Sequence, residues 1–190
     1  MQKGKTFAKK AVRIDPKMRP YLLKDLLSMP ATPQELLLFL DDLKIDATTH
    51  THPALKTVEE SKALRGDLAG LHCKNLFLKD KKGVLWLIVA REDVAINMKE
   101  LKTKIGSHHL SFGKPDLLME VLGVSPGSVT PFALLNDKTH RVRVVLDQIM
   151  MDQALVNYHP LSNEMTTALS PESLRTFIVA CGHEYSEVEL

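Results

Sequence analysis

The chain has 190 residues, 44% of them hydrophobic, which suffices for one sizeable core and is short for two ordinary domains. Its formal net charge is +2, and no apolar run approaches the roughly 20 residues that a membrane-spanning helix needs. These properties exclude a membrane-spanning protein, and we expect a soluble, cytoplasmic protein with one compact domain.

Charge is unevenly distributed along the chain. Residues 1–24 carry eight Lys or Arg against one acidic residue, whereas the remainder has 17 basic and 22 acidic residues. Within that remainder, residues 74–114 hold nine Lys or Arg against four acidic residues, together with His108 and His109. The pattern predicts a local basic face for a polyanion such as RNA, although a solvated lysine-rich surface would give the same pattern.

The first 31 residues lack sustained periodicity and contain Pro16, Pro20 and Pro30. We expect a basic, partly flexible arm there, with one short helix near residues 21–27. The compact domain is expected to span residues 32–190.

Local signals predict the first elements of this domain. Thr32 and Glu35 have the spacing of a capping box around Pro33, which predicts a helix that continues to about residue 43. Residues 46–52 have the character of a short strand, and capping residues near position 57 predict a second helix. Apolar alternation on both sides of Asp80-Lys81-Lys82-Gly83 predicts a β-hairpin over residues 71–90.

The rest of the chain alternates irregularly between helices and strands. The further predicted elements are helices at 97–105 and 115–122, a second hairpin from 132–135 and 142–146, strands near 154–158 and 164–169, a helix at 171–181 and a terminal strand. This order predicts an α+β fold, a mixed, largely antiparallel sheet with flanking helices.

Standard catalytic motifs are missing from the sequence. It has no GxSxG elbow, phosphate-binding loop, GxGxxG or HExxH motif. Cys73 and Cys181 form no CxxC pair, so we expect a reducing compartment and no zinc ribbon. His50 and His52 would face one side of a strand, but without further ligands at metal spacing they are better explained as surface histidines. We therefore expect no metal and no cofactor.

The segment from His72 to Asp80 places a lysine in an apolar alternation. Lys74 is in phase with Leu76 and Leu78, while Asn75, Phe77 and Lys79 belong to the other face. Lys74 would either extend its ammonium out of a sheet margin or direct it into a cleft, where it could bind a phosphate or carbonyl oxygen. The alternation leaves both possibilities open.

The segment from Gly123 to Phe132 is rich in Gly, Pro and Ser. Consecutive backbone N–H groups in such a loop can form a concave site for an anion or a carbonyl oxygen, and the glycines let a ligand approach the backbone. By spacing alone, a plain turn between two elements is the better explanation.

Five motifs occur in order along most of the chain. They are KNLFLKD at 74–80, SFG at 111–113, GVSPGSVTPFALLND at 123–137, RVRVVLD at 141–147 and YHPL at 158–161. Together they resemble the YbaK/ProX family of aminoacyl-tRNA deacylases, and within it the ProXp-ala type, free-standing relatives of the editing domain in bacterial prolyl-tRNA synthetases. The resemblance runs from about residue 32 to the end and implies the fold of that editing domain.

The resemblance implies a set of site residues. The catalytic group would comprise Lys74, Gly123 and Ser125, with Lys74 holding the 3′ end of the tRNA and the loop backbone holding the terminal adenosine and the ester carbonyl. Other substrate contacts would come from Asn75, Val124, Pro126, Gly127, Ser128, Thr130 and His159. The resemblance implies contacts with the tRNA stem at Lys79 and His109, and the basic stretch described above predicts further phosphate contacts from Lys81, Lys82, Lys102 and Lys104. His109 stands where we would expect Arg or Lys, so recognition of the stem there would be weaker or pH-sensitive.

The resemblance also implies a reaction that needs no protein nucleophile. The protein would position an already reactive ester, stabilise the oxyanion with loop N–H groups and admit a water that the ribose 2′-hydroxyl helps to activate, with Lys74 as an orienting cation and not a general base. The implied substrate is Ala-tRNA(Pro). A deacylase for Ser or Cys and a non-catalytic tRNA- or synthetase-binding module stay open. Expected partners are mischarged tRNA(Pro) and, transiently, prolyl-tRNA synthetase, with a monomeric protein and no membrane.

Overall fold

The computed structural model describes residues 29–53 and 68–190. Most of the predicted basic arm, its short helix and the helix predicted near position 57 lie outside the described residues. The division of the chain at residue 32 therefore stays a prediction. Within the described residues, no helix is both long and apolar enough to cross a membrane.

Helices and strands of the described residues alternate as follows. The α-helices are α1 (Pro33–Asp42), α2 (Met98–Lys104), α3 (Pro115–Leu122) and α4 (Pro171–Ala180), and two 3₁₀ helices span Pro131–Asn136 and Met150–Asp152. The strands are β1 (Ala47–Thr51), β2 (Leu71–Asp80), β3 (Leu85–Arg91), β4 (Leu110–Phe112), β5 (Val142–Asp147), β6 (Val156–Tyr158), β7 (Met165–Leu169) and β8 (Tyr185–Val188).

The strands form one mixed sheet in the order β1-β7-β6-β2-β3-β5-β8, with β4 paired to β2 outside this path. The pairs β1/β7, β2/β3, β2/β4 and β6/β7 are antiparallel, whereas β2/β6, β3/β5 and β5/β8 are parallel. The predicted α+β fold with a mixed, largely antiparallel sheet is confirmed.

The capping box and the hairpin turn predicted from the sequence are both formed in the structure. The Thr32 side chain accepts from the Glu35 N–H while the Glu35 carboxylate accepts from the Thr32 N–H, so both partners of the capping box are satisfied at the start of α1. In the β2/β3 hairpin, Lys79 lies opposite Leu85, and Gly83 supplies the positive φ of 87° that the turn needs. The helix predicted to begin at Pro33 and the hairpin predicted over residues 71–90 are confirmed.

The second predicted hairpin is wrong. Residues 131–136 form a 3₁₀ helix and not a strand, because Pro131 has no N–H for a ladder and the buried Thr130 hydroxyl accepts from the Phe132 N–H. The strand that follows, β5, pairs in parallel with β3. The sequence also did not predict β4 and the second 3₁₀ helix, which have three residues each.

The sheet carries a separate apolar layer on each face. On the face called here the first face, Phe77, Phe132 and Phe177 belong to a large buried cluster with residues of α1, α3 and α4. On the opposite, second face, Leu78 and Trp86 pack with Leu101 of α2. Since successive residues of a strand alternate between faces, β2 contributes side chains to both layers.

Candidate functional site

A gap in the sheet ladder lies beside the middle of β2. One edge of β2 pairs with β3 from Cys73 to Lys79, whereas the other edge pairs with β6 only at residues 71–72 and with β4 only at residues 78–80. Within the described residues, no strand pairs with the stretch between these two ends. The Gly113 N–H donates to the Phe77 carbonyl oxygen, so the gap lies beside residues 73–76.

The Lys74 side chain lies on the second face, and its ammonium group is directed toward the chain that follows β3. The sequence placed it in phase with Leu76 and Leu78, and both of those residues pack in the layer of the second face. Its half-buried ammonium group donates to the carbonyl oxygen of Glu92, 3.1 Å from Nζ, and to that of Val94. An ammonium group has three N–H bonds. Two of them are directed at these carbonyls, and the third remains for an acceptor on a substrate.

Asn75 points to the first face and contacts the Gly-Pro-Ser loop. Its Nδ2 donates to the carbonyl oxygen of Val129 over 3.0 Å. Its Oδ1 is buried and has no hydrogen-bond partner among the described residues. A buried carbonyl oxygen without a donor is costly, so Oδ1 is an acceptor that a bound ligand could satisfy.

Gly123 begins the loop as the residue that ends α3. It has the left-handed φ of 64° and donates its N–H to the carbonyl oxygen of Met119. A Cβ at this position would lie 2.6 Å from Pro30 Cβ and 2.8 Å from Asn136 Nδ2. Both the backbone conformation and the close neighbours therefore require glycine.

The loop then makes an exposed turn. The N–H of Ser128 donates to the carbonyl oxygen of Ser125 over 3.0 Å, and Gly127 has a φ of 89° with open space where a Cβ would stand. The N–H groups of Ser125 and Gly127 take no part in that bond. They are the candidates for binding an oxyanion, while Pro126 has no N–H to offer.

Two residues predicted as substrate contacts are buried in the protein interior. Val124 belongs to the buried cluster of the first face, and Thr130 has no exposed surface. Their side chains support the loop from beneath, and a direct contact of either with a substrate stays a prediction.

His159 lies on the second face by the alternation of side chains. Tyr158 belongs to the cluster of the first face, and the next side chain along the chain, that of His159, points to the opposite face. This is the second face, which also carries Lys74. Its Nδ1 is 3.0 Å from the carbonyl oxygen of Met165. Its carbonyl oxygen accepts from the N–H of Leu161, which has a φ of 62°, rare for a residue with a side chain. The chain beyond His159 is thus held in a strained conformation.

A cavity of about 310 Å³ lies on the second face, over β1, β7 and β6. Thr48, Ala168 and Asn157 are lateral neighbours on these strands and line it, and residues 68–69 line it from the chain before β2. Its volume is at the lower end of the range for small-molecule sites. The sequence did not identify Thr48 and Asn157, since only the pairing of distant strands brings them together.

The structure therefore divides the predicted site between the two faces of β2. Lys74 and His159 lie on the second face, whereas Asn75 and the loop lie on the first, and the Lys74 ammonium group does not hydrogen-bond to the loop. Lys74 and Asn75 are adjacent in the stretch of β2 beside the gap, so the two sets of residues meet along this stretch.

The residues predicted to bind tRNA lie mainly near the hairpin end of β2. Lys79 is exposed, Lys81 and Lys82 occupy the hairpin turn, and the Lys81 N–H donates to the carbonyl oxygen of His109. Lys102 and Lys104 belong to the last turn of α2 on the second face, where the helix dipole favours positive charge. Their contact with tRNA stays a prediction.

The two cysteines are unsuited to nucleophilic catalysis. Burial raises the pKa of the Cys73 thiol to about 12, and burial also raises the pKa of the Cys181 thiol to about 12. Among the described residues, no group of three or more His, Cys, Asp or Glu side chains is placed to hold a metal ion.

Comparison with known proteins identifies a family and relatives. The family described as the aminoacyl-tRNA editing domain matches residues 52–177. The chain is 39% identical over 158 residues to the prolyl-tRNA editing protein ProX of Acetoanaerobium sticklandii, which covers 83% of this chain and 96% of that protein. It is 38% identical over 156 residues to the prolyl-tRNA synthetase associated domain-containing protein 1 of Xenopus laevis, with coverage of 80% and 92%.

A solved structure shares the fold. It is that of a candidate trans-editing enzyme for prolyl tRNA synthetase, with a TM-score of 0.62 over 94% of this chain and 99% of that one. The two sequences are 17% identical, so this likeness concerns the fold alone.

Proposed function

Since the chain belongs to the aminoacyl-tRNA editing domain family, we propose that it is a trans-editing deacylase that removes alanine from mischarged tRNA(Pro). One observation supports this proposal most: Lys74 and Asn75, whose Oδ1 has no partner among the described residues, are adjacent in the stretch of β2 beside the gap, and Asn75 contacts the Gly-Pro-Ser loop. In this proposal the 3′ end of the tRNA enters the gap, and hydrolysis there needs no nucleophile of the protein.

The proposed reaction is hydrolysis of the ester between the amino acid and the terminal ribose. Water adds to the ester carbonyl carbon, the bond from that carbon to the ribose oxygen breaks, and a proton passes to the ribose oxygen. The N–H groups of Ser125 and Gly127 stabilise the oxyanion that forms. Lys74 holds the 3′ end with its remaining N–H bond, and Asn75 Oδ1 accepts a hydrogen bond from a hydroxyl or ammonium group of the substrate.

Selection among amino acids is proposed to rest on exclusion by size. A hydrophobic pocket discriminates one methylene by only about 1–3 kcal/mol, so a synthetase for proline charges some alanine, and a smaller second pocket can remove it. The cavity of about 310 Å³ on the face of Lys74 and His159 is our candidate for that second pocket. A monomeric protein and a transient contact with prolyl-tRNA synthetase belong to the same proposal.

A panel of esters tests this function. Single-turnover hydrolysis of tRNA(Pro) charged separately with alanine, serine, cysteine and proline would be measured with excess protein. We expect fast loss of alanine with proline spared. Faster loss of serine or cysteine would overturn the alanine specificity and leave the deacylase. Binding of tRNA without hydrolysis of any ester would show a non-catalytic module.

A further inference from the structure

A second cleft, of about 540 Å³, lies on β3, β5 and β8, on the side of β3 remote from the gap. Its lining includes Trp86, His140, Arg143 and His183, together with Ile105, the residue after α2. The deacylase mechanism uses none of these residues. Because α2 carries Lys102 and Lys104 in its last turn, the cleft continues the surface predicted to bind tRNA.

Two buried ring nitrogens at this cleft lack hydrogen-bond partners among the described residues. Trp86 is 5% exposed and His183 is 4% exposed, and the unpartnered atoms are Trp86 Nε1 and His183 Nε2. The other nitrogen of His183, Nδ1, is 3.2 Å from the carbonyl oxygen of Val142, and Nε2 is 3.8 Å from Asp137 Oδ2, too far for a hydrogen bond. Buried polar atoms of native proteins are usually satisfied by protein, water or ligand, so these two atoms are available to a molecule that enters the cleft.

Each of these rings is covered by an exposed side chain. The guanidinium carbon of Arg143 lies 5.4 Å from the centre of the Trp86 ring, and the His140 ring lies 5.1 Å from that of His183. Arg143 and His140 are exposed and can rotate away without unpacking the sheet. Glu184, also exposed, is the one carboxylate of the lining.

The chemistry of these atoms specifies the ligand. Arg143 offers a planar cation that matches a phosphate, and Trp86 offers one N–H donor. A neutral His183 that donates from Nδ1 to a carbonyl presents Nε2 as an acceptor. A ligand with an anionic phosphate next to a hydroxyl donor satisfies all three groups. The ribose-phosphate unit of RNA has this combination.

We propose that the cleft binds the ribose-phosphate backbone of the tRNA, as a second contact separate from the one at the acyl site. The inference rests on the proposed function for the identity of the RNA. It places a phosphate at Arg143 and a ribose hydroxyl at His183 Nε2. The tRNA would then be held at two places, the gap beside β2 and this cleft.

The single tryptophan of the chain makes the test specific to this cleft, since its fluorescence and its one indole N–H resonance both report on Trp86. Uncharged tRNA(Pro) transcript is titrated into the full chain, and total binding is followed separately by anisotropy of labelled tRNA over a range of salt concentrations. We expect the indole resonance to shift with the same dissociation constant as total binding.

Arg143→Gln and Lys44→Gln form a matched pair of variants, because each removes one exposed positive charge and only Arg143 lines the cleft. For Arg143→Gln we expect an affinity roughly tenfold lower and a slope of log K against log salt smaller by about one. Lys44→Gln should match the wild type.

Three results would overturn the inference. If tRNA binds but the indole resonance does not shift and Arg143→Gln keeps the wild-type affinity, the cleft is not a tRNA contact. That result leaves the proposed deacylase intact. An indole response to AMP alone, with tRNA affinity unchanged in Arg143→Gln, would indicate a site for free nucleotides. A complete lack of tRNA binding would overturn both the cleft and the proposed function.

Discussion

Replacing Gly123 with alanine should destabilise the protein far more than the same change at Gly127. Both glycines have positive φ, 64° and 89°, and an alanine in such a conformation costs about 1–2 kcal/mol. At Gly123 the added Cβ would also meet Pro30 Cβ at 2.6 Å and Asn136 Nδ2 at 2.8 Å, whereas nothing lies within 4 Å at Gly127. Overpacking of this kind adds about 1–3 kcal/mol.

We therefore expect Gly123→Ala to lower the free energy of unfolding by about 2–5 kcal/mol and Gly127→Ala by about 1–2 kcal/mol. The Asn136 amide group would have to move, although it donates to the Leu122 carbonyl oxygen and accepts from the Ala31 N–H. Urea denaturation of the two variants and the wild type measures the difference. Equal losses in the two variants would refute the role of the close neighbours.

Three further predictions concern single groups. Asn75→Ala removes the hydrogen bond to the Val129 carbonyl oxygen and the acceptor Oδ1, so single-turnover deacylation should slow by about tenfold or more. An unchanged rate would exclude Asn75 from the site. Cys73 and Cys181 should resist iodoacetamide at pH 8 in the native protein and react after unfolding, because burial raises the pKa of each thiol to about 12. Rapid labelling of the native protein, detected by mass spectrometry, would contradict this. Burial alone would raise the pKa of Asp80, but hydrogen bonds from three backbone N–H groups outweigh it and the net shift is downward. Asp80 therefore stabilises the fold fully above the ordinary aspartate pKa of about 3.9, and this stabilisation is lost as pH falls through the lower folded value. Asp80→Asn should cost about 1–3 kcal/mol at pH 7, and this cost should shrink as the pH falls below the ordinary aspartate pKa. A cost that does not change with pH would refute the assignment.

Local signals in the sequence were sufficient for much of the fold. The capping box of Thr32 and Glu35, the hairpin turn before Gly83 and the Gly123 stop of α3 each depend on residues within one turn of one another. The prediction of a strand at residues 132–135 was wrong, because an apolar run this short fits a buried 3₁₀ helix equally well. Pro131 begins that helix.

The candidate site could be predicted only in part. Alternation along β2 gave the correct faces of Lys74 and Asn75. It could not give the Glu92 and Val94 carbonyls that hold the Lys74 ammonium group, because these depend on where the chain goes after β3. The gap beside β2 and the cavity next to Asn157 arise from pairings between strands far apart in sequence, and no local pattern encodes them.

In the proposed function, ester hydrolysis takes place at the gap beside β2 with Lys74 as the orienting cation. The most direct test is the single-turnover rate on Ala-tRNA(Pro) for wild type, Lys74→Ala and Arg175→Gln, the last removing a charge from α4. We expect a loss of roughly 100-fold or more for Lys74→Ala, with Arg175→Gln close to wild type. A folded Lys74→Ala protein that hydrolyses alanine at the wild-type rate would contradict it.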